Sequence, residues 1–315
     1  MKRDYLILAS VAILTGILPT FIPNDYYLSV MVIAGIHAMV VVGLVMLMGY
    51  AGQVSMGQAA FWGVGAYASA FLTTRYRVPP VLAIVAACAL TALLAYLVGR
   101  PSLKLKGHYL AMATLALGEI VHIVMNELDA VTGGPSGMSG IPRLSIFGWP
   151  VDSDRKYYFV VWALLMGVLA VTINLIHSRI GRALRAIHGS ERAARAMGVD
   201  VSGYKCAVFT LSAIYAALAG GLYAHFITFI SPNSFSVATS VSLVSMAAVG
   251  GLESVWGGIL GASVLTILPE YLRFFRDYDI LVYGCILMLI MIFMPEGLLI
   301  GIPRRIGTLF LRGRR

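Results

Sequence analysis

Charge is scarce in this sequence. Only 12% of its 315 residues are Asp, Glu, Lys or Arg, against roughly 25% in an ordinary soluble domain. With 59% hydrophobic residues and a mean hydropathy of +0.87, no water-soluble core could hide so much apolar side chain. Cysteine is nearly absent as well. Cys88, Cys206 and Cys285 stand singly in apolar stretches, which excludes a disulfide framework and a metal-spaced pair and leaves them as small packing residues. A Gly-Lys dipeptide is missing altogether, so the chain holds no phosphate-binding P-loop. A small-residue cleavage site is also missing from the first apolar segment, Tyr5 to Ile22, which therefore reads as a retained helix rather than a signal peptide.

Long apolar runs are what the sequence has in abundance. At roughly 20 residues per bilayer crossing, a chain of this length supplies about eight to eleven helices. Runs of suitable length predict helices near 5–22, 27–48, 59–74, 79–99, 109–126, 157–176, 205–229, 238–250, 257–272 and 279–295. The expectation is an all-α polytopic membrane protein, one transmembrane domain over 1–315 with about ten spans. Two of the runs, 59–74 and 238–250, are short and Gly-rich, and each reads either as a span or as a re-entrant or broken helix.

The charges that remain test that count, because cytoplasmic loops keep an excess of Lys and Arg. With ten spans and both termini inside, 16 of the 23 basic residues fall on the cytoplasmic side. They are Lys2 and Arg3; Arg100, Lys104 and Lys106; Arg179, Arg182, Arg185, Arg192, Arg195 and Lys205; and Arg304, Arg305, Arg312, Arg314 and Arg315. Nine or eleven spans break this alternation. The net charge of +9 thus reports topology and contact with anionic lipid, and no nucleic acid is needed to explain it.

Two long loops have opposite characters. The external one, about 127–156, contains Thr132-Gly133-Gly134-Pro135-Ser136-Gly137, which forbids a continuous helix and favours tight turns. In the internal one, about 177–204, Ser190 is a good N-cap, Glu191 complements the positive end of a helix dipole and Gly198 is a natural stop. That predicts a two-turn helix outside the membrane presenting Ala193, Ala194 and Met197 with a rim of arginine. Such a helix either docks a soluble partner or lies on the lipid surface, its arginines held by phosphates.

Four blocks carry a family resemblance. The first is Gly49-Tyr50-Ala51-Gly52-Gln53-Val54-Ser55-Met56-Gly57-Gln58, continuing to Tyr67. The second is Leu115-Ala116-Leu117-Gly118-Glu119-Ile120, followed by the loop Thr132 to Pro142. The third runs from Ile180 to Gly198, and the fourth joins Ala248-Val249-Gly250-Gly251-Leu252 to Gly257, Gly261 and Pro269-Glu270. In order across roughly 45–300, these resemble the LivH/LivM permeases of branched-chain amino acid ABC importers, with the Thr132 to Pro142 loop closer to LivM.

The resemblance implies a membrane-spanning permease subunit of an ATP-driven importer in the bacterial inner membrane, serving branched-chain amino acids or related small polar substrates. Implied partners are a second, LivH-like permease subunit, two cytoplasmic ATPase subunits that bind the ATP and Mg, and a periplasmic substrate-binding protein. This chain itself would carry no cofactor and perform no catalysis. The 177–204 loop becomes a coupling loop, with Glu191, Ala194 and Gly198 matching the family's Glu-Ala-Ala...Gly pattern. One departure is His188-Gly189, where a more polar Arg-Glu pair is expected; it leaves the pattern intact and allows a weakened first helix in this loop.

The pathway candidates are Gln53, Ser55 and Gln58, in the stretch between the second and third predicted spans, and Glu119 and His122, inside the fifth. Glu119 is the one acidic residue well inside a predicted span, and with His122 and Asn126 it shares a helix face. A charge at bilayer depth costs about 2.5–3.5 kcal/mol on insertion scales and needs a cavity or a partner. Glu119 therefore either lines the route, or contacts a ligand's ammonium, or braces a neighbouring helix. His37 and His225 read as interhelical hydrogen-bonders. The glycines, including the Gly257/Gly261 pair, read first as packing residues, yet spans 2–5 and 7–10 start on opposite sides and have short Gly-rich second members, as inverted repeats would. An ion-coupled secondary transporter shares these traits and stands as the alternative, with Glu119 as its proton site; a membrane-embedded enzyme lacks a nucleophile, base and oxyanion set.

Overall fold

The computed structural model describes residues 2–21, 24–105, 107–146, 149–272, 279–294 and 297–299. The basic C-terminal residues Arg304 to Arg315, and with them the C-terminal half of the topology expectation, lie outside the described residues.

A chain in hydrocarbon must satisfy its backbone within itself, so apolar runs become helices. The long ones are α1 (Lys2–Phe21), α2 (Asp25–Val45), α3 (Gln58–Tyr76), α4 (Pro80–Ser102) and α5 (His108–Glu127). A single turn, α6 (Asp129–Thr132), precedes α7 (Asp154–His177). Then come the loop helices α8 (Arg179–Gly189) and α9 (Glu191–Ala196), followed by α10 (Val201–Ile227), α11 (Val237–Gly250), α12 (Val255–Leu272) and α13 (Asp279–Phe293). Their ends are chemically marked. Asn24, Ser153 and Asp200 accept a backbone N–H at the starts of α2, α7 and α10, and Pro80 opens α4, a position where its missing N–H costs nothing.

Every predicted run is helical, but they are not equivalent. Among the described residues, seven helices are long and apolar enough to cross a membrane: α1, α2 with its extension to Tyr50, α4, α5, α7, α10 and α12. The run near 59–74 forms the continuous 19-residue α3, less apolar than the seven. The run near 238–250 forms α11, whose 14 residues reach about 21 Å at 1.5 Å per residue, short of the roughly 30 Å hydrocarbon core. The all-α polytopic membrane architecture stands.

Helices α2 and α10 are the most enclosed. α10 packs on α3, α4 and α2; α12 and α7 pack on α2; and α1 lies outermost, against α7. Small residues allow these contacts. A Cβ on Gly220 of α10 would collide with the Trp62 carbonyl of α3, and one on Gly261 of α12 would collide with the Met246 carbonyl of α11, so both pairs meet backbone to backbone. His37 bonds Thr266 of α12 at 2.9 Å, and His225 joins Ser69 of α3 to the Pro142 carbonyl, which accepts from its Nδ1 at 2.8 Å. Both histidines are interhelical braces, as expected.

The Gly-rich stretch after α5 folds into turns. Gly133, Gly134 and Gly137 adopt positive φ, and the segment ends in strand β1 (Met138–Ser139). A hairpin of β2 (Ser145–Ile146) and β3 (Trp149–Pro150) follows, and β1 pairs antiparallel with β4 (Phe229–Ile230), just beyond α10.

Candidate functional site

The first block of singled-out residues sits where a helix breaks. After Val45 the backbone widens into a π turn, Met46–Tyr50, and residues 52–57 take no regular structure before α3 starts at Gln58. Gly52 accepts φ +65° there, a value costly for residues with a Cβ. Irregular backbone at membrane depth persists only where protein or a water-lined cavity surrounds it. Three helices do so here. The Met56 N–H donates to Thr114 Oγ1 of α5 at 3.0 Å, the Ala59 N–H to Ser240 Oγ of α11 at 3.0 Å, and Gln58 Nε2 to both the carbonyl and the hydroxyl of Ser212 of α10 at 2.9 Å.

Gln53 and Ser55 differ from Gln58. Their residues are 2% and 1% exposed, yet both amide atoms of Gln53 and the Ser55 hydroxyl have no hydrogen-bond partner among the described residues. Leaving a buried polar group unpaired costs about 1–3 kcal/mol. Three such atoms within three residues form a concentrated deficit in the most constrained part of the fold.

Glu119 and His122 are not brought to this segment. Thr114 faces inward on α5, whereas Glu119 lies about 140° round the helix at 100° per residue and is exposed. Among the described residues Glu119 makes no hydrogen bond or ion pair, so it braces no neighbouring helix in this chain. His122 is half-buried, and Asn126 Nδ2 donates to its carbonyl at 3.0 Å.

The candidates of the 177–204 loop assemble differently from expectation. The first helix of the loop is not weakened: α8 runs through His188 to Gly189, burying Gly181, Leu184 and Ile187 at a three-residue spacing. α9 starts as predicted, the Ala193 N–H donating to Ser190 Oγ at 3.3 Å, and Gly198 takes φ +82°. Ala194 corrects the sequence reading. It is 0% exposed, packed with Ile187 of α8 and Val201 of α10, which cover it, while Ala193 and Met197 stay outside. Glu191 is tied within the chain, ion-paired with Lys205 near the start of α10 and with Arg195 at 3.8 Å.

Sequence reasoning missed Lys205 as a partner, as well as Thr114, Ser212 and Ser240. A lysine five residues into an apolar helix was the available signal, but its acidic mate lies 14 positions away. It also missed a cavity of about 510 Å³ between α2, α11, α12 and α13, walled by Ile33, Leu243 and Leu265 with His37 and Glu270 on its lining. Among the described residues no group of three His, Cys, Asp or Glu side chains could hold a metal ion.

Comparison with known proteins agrees with the architecture. Residues 26–293 match the family described as branched-chain amino acid transport system, permease component. The chain is 33% identical over 287 residues to the high-affinity branched-chain amino acid transport system permease protein LivM of Salmonella typhimurium, and 34% identical over 292 residues to LivM of Escherichia coli K12. Each alignment covers 84% of this chain and 68% of the relative. LivH of Salmonella typhimurium is 22% identical over 283 residues, covering 84% of this chain and 91% of LivH. No solved structure matches significantly.

Proposed function

The chain belongs to the family of branched-chain amino acid transport permeases, a membrane-spanning permease subunit of an ABC importer, and from that premise we propose how its parts divide the work. The substrate is a branched-chain amino acid, as the names of the LivM relatives state for them. The broken segment 51–57 lines the translocation pathway with Gln53, Ser55 and Gln58, while Glu119 and His122, on another face of α5, belong to the route where this chain meets a neighbouring subunit. A LivH-like permease completes the pathway, two cytoplasmic ATPase subunits bind ATP and Mg and hydrolyse the nucleotide, and a periplasmic binding protein delivers substrate. The chain lies in the inner membrane with both termini cytoplasmic.

The observation that carries the pathway is the buried trio of unpaired polar atoms on Gln53 and Ser55, held where a helix is interrupted. A zwitterionic solute leaving water needs replacement hydrogen bonds along its route, and unused donors and acceptors on an irregular backbone supply them. Glu119 agrees with a boundary between subunits. A carboxylate exposed on an apolar helix, without a partner among the described residues, is too costly against lipid and calls for a neighbouring subunit or an aqueous route.

Ten crossings and an inverted repeat complete the proposal, α2 to α5 corresponding to α10 to α13. Packing supports that pairing: α2 lies on α12 as α10 lies on α4, and α3 lies on α4 as α11 lies on α12. In the cytoplasmic loop, α9 docks an ATPase through Ala193, Met197 and the arginines, while Glu191, Ala194 and Gly198 hold it in shape.

The test is uptake into de-energised proteoliposomes holding the assembled complex. Branched-chain amino acid uptake should require ATP and the binding protein and survive collapse of all ion gradients. Uptake that ignored ATP and stopped with the gradients would replace this mechanism with ion-coupled transport.

A further inference from the structure

His188, the residue that departs from the family pattern, sits where the cytoplasmic loop meets the broken helix. Its Nδ1–H donates to the Gly49 carbonyl at 2.7 Å, which fixes the proton on that nitrogen, since a carbonyl can only accept. Gly49 belongs to the π turn that ends α2. Below the bond, the imidazole lies on Gly52, where a Cβ would stand 3.3 Å from the ring. One side chain thus touches the π turn at Gly49 and the irregular segment at Gly52, three residues before Ser55.

The opposite side of the same stretch is held by the other half of the molecule. A Cβ on Gly49 would collide with the Leu252 carbonyl, and Tyr50 Oη donates to the Glu253 carbonyl at 3.3 Å, both in the turn between α11 and α12. A cavity of about 490 Å³ opens between these pieces, lined by Met48, His188 and Glu253 with Met291 and Met294. Methionine walls adapt to changing shapes more readily than branched residues.

On its other flank, His188 follows Ile187, which packs with Ala194 of α9 and Val201 of α10. The ion pair from Glu191 to Lys205 fastens α9 to the same place. Closely packed side chains shift together rather than deform, so a displacement of α9 moves Ile187 and carries the adjacent His188 with it.

We propose that His188 is the positioning residue that transmits movement of the cytoplasmic loop to the pathway segment 51–57, through its bond to the Gly49 carbonyl. The proposal rests on the reading that α9 docks an ATPase and that 51–57 lines the route. Loss of the imidazole disconnects the two without dissolving either.

The experiment uses the whole complex in proteoliposomes and compares His188→Ala with His188→Asn, whose amide donor occupies nearly the place of Nδ1. Measured are retention of the ATPase subunits, thermal stability, ATP hydrolysis, and substrate imported per ATP. His188→Ala should keep its ATPase subunits, hydrolyse ATP within twofold of the parent and import at least tenfold less substrate per ATP. His188→Asn should recover most of that ratio. An unchanged ratio in His188→Ala, a parallel fall of assembly, hydrolysis and uptake, or an Asn variant no better than the Ala variant overturns the proposal. Met197→Asp, on the exposed face of α9, separates the underlying reading. If it releases the ATPases while His188→Ala leaves the ratio intact, only the His188 link fails; if it releases nothing, the docking reading fails as well and takes the proposal with it.

Discussion

At the residue scale, the 177–204 loop is governed by one buried charge and one backbone angle. The Lys205 side chain is 5% exposed and that of Glu191 20%. Removing one partner of such a pair leaves the other uncompensated, at up to about 3–5 kcal/mol for a fully buried pair. Glu191→Gln should therefore lower thermal stability by more than the roughly 0.3–1 kcal/mol of a charge at a helix terminus alone. The double variant Glu191→Gln/Lys205→Met should regain much of the loss, and equal losses in single and double variants would show that the pair carries no coupling. Gly198 at φ +82° imposes a second demand, although a Cβ there meets nothing within 4 Å. Gly198→Val should cost about 1–3 kcal/mol from backbone strain without any clash. Hydrogen exchange should report it at the Val199 N–H, which donates to the Ala194 carbonyl at 3.0 Å, and unchanged protection there would remove the argument. Ser190, Glu191 and Gly198 were legible as a capped and stopped helix because such signals act within a few residues. That Ala194 points inward was not, because the residues covering it come from α8 and α10.

At the element scale, the two faces of α5 should separate stability from transport. Its inner face holds Met56 through Thr114, and its outer face carries Glu119. Glu119→Gln breaks no hydrogen bond or ion pair among the described residues, so thermal stability should stay within about 0.5 kcal/mol while uptake falls. Ser55→Ala should act oppositely on stability: deleting a buried unpaired hydroxyl removes a penalty of about 1–3 kcal/mol, so the chain should melt higher while importing less. Transport at the parental rate in both variants would take these residues off the route. The breaking of the helix was only partly readable. Glycines at 49, 52 and 57 signal weakness, but the break persists because Thr114, Ser212 and Ser240 accept the backbone and side-chain donors that the interruption leaves over.

At the scale of the whole molecule, the sidedness of the loops is the claim most open to direct measurement. With Cys88, Cys206 and Cys285 replaced, a cysteine at Arg195 should resist impermeant thiol reagents in intact cells, and one at Trp149, which is 81% exposed, should react. Labelling at position 195 from outside would reverse the topology and with it the docking of ATPases on α9. Sequence alone determined the helices, the membrane setting and the family, since hydrocarbon forces each apolar run to satisfy its backbone locally and the run therefore declares its own structure. Tertiary structure decided which polar residues meet. Glu119 and Gln53 both read as polar pathway candidates, yet one ends exposed and the other enclosed, because burial depends on helices that arrive from more than a hundred residues away. His188 and Gly49, 139 positions apart, and Ser212 and Gln58, 154 apart, became partners only through the packing of α10 and α8 against the interrupted end of α2.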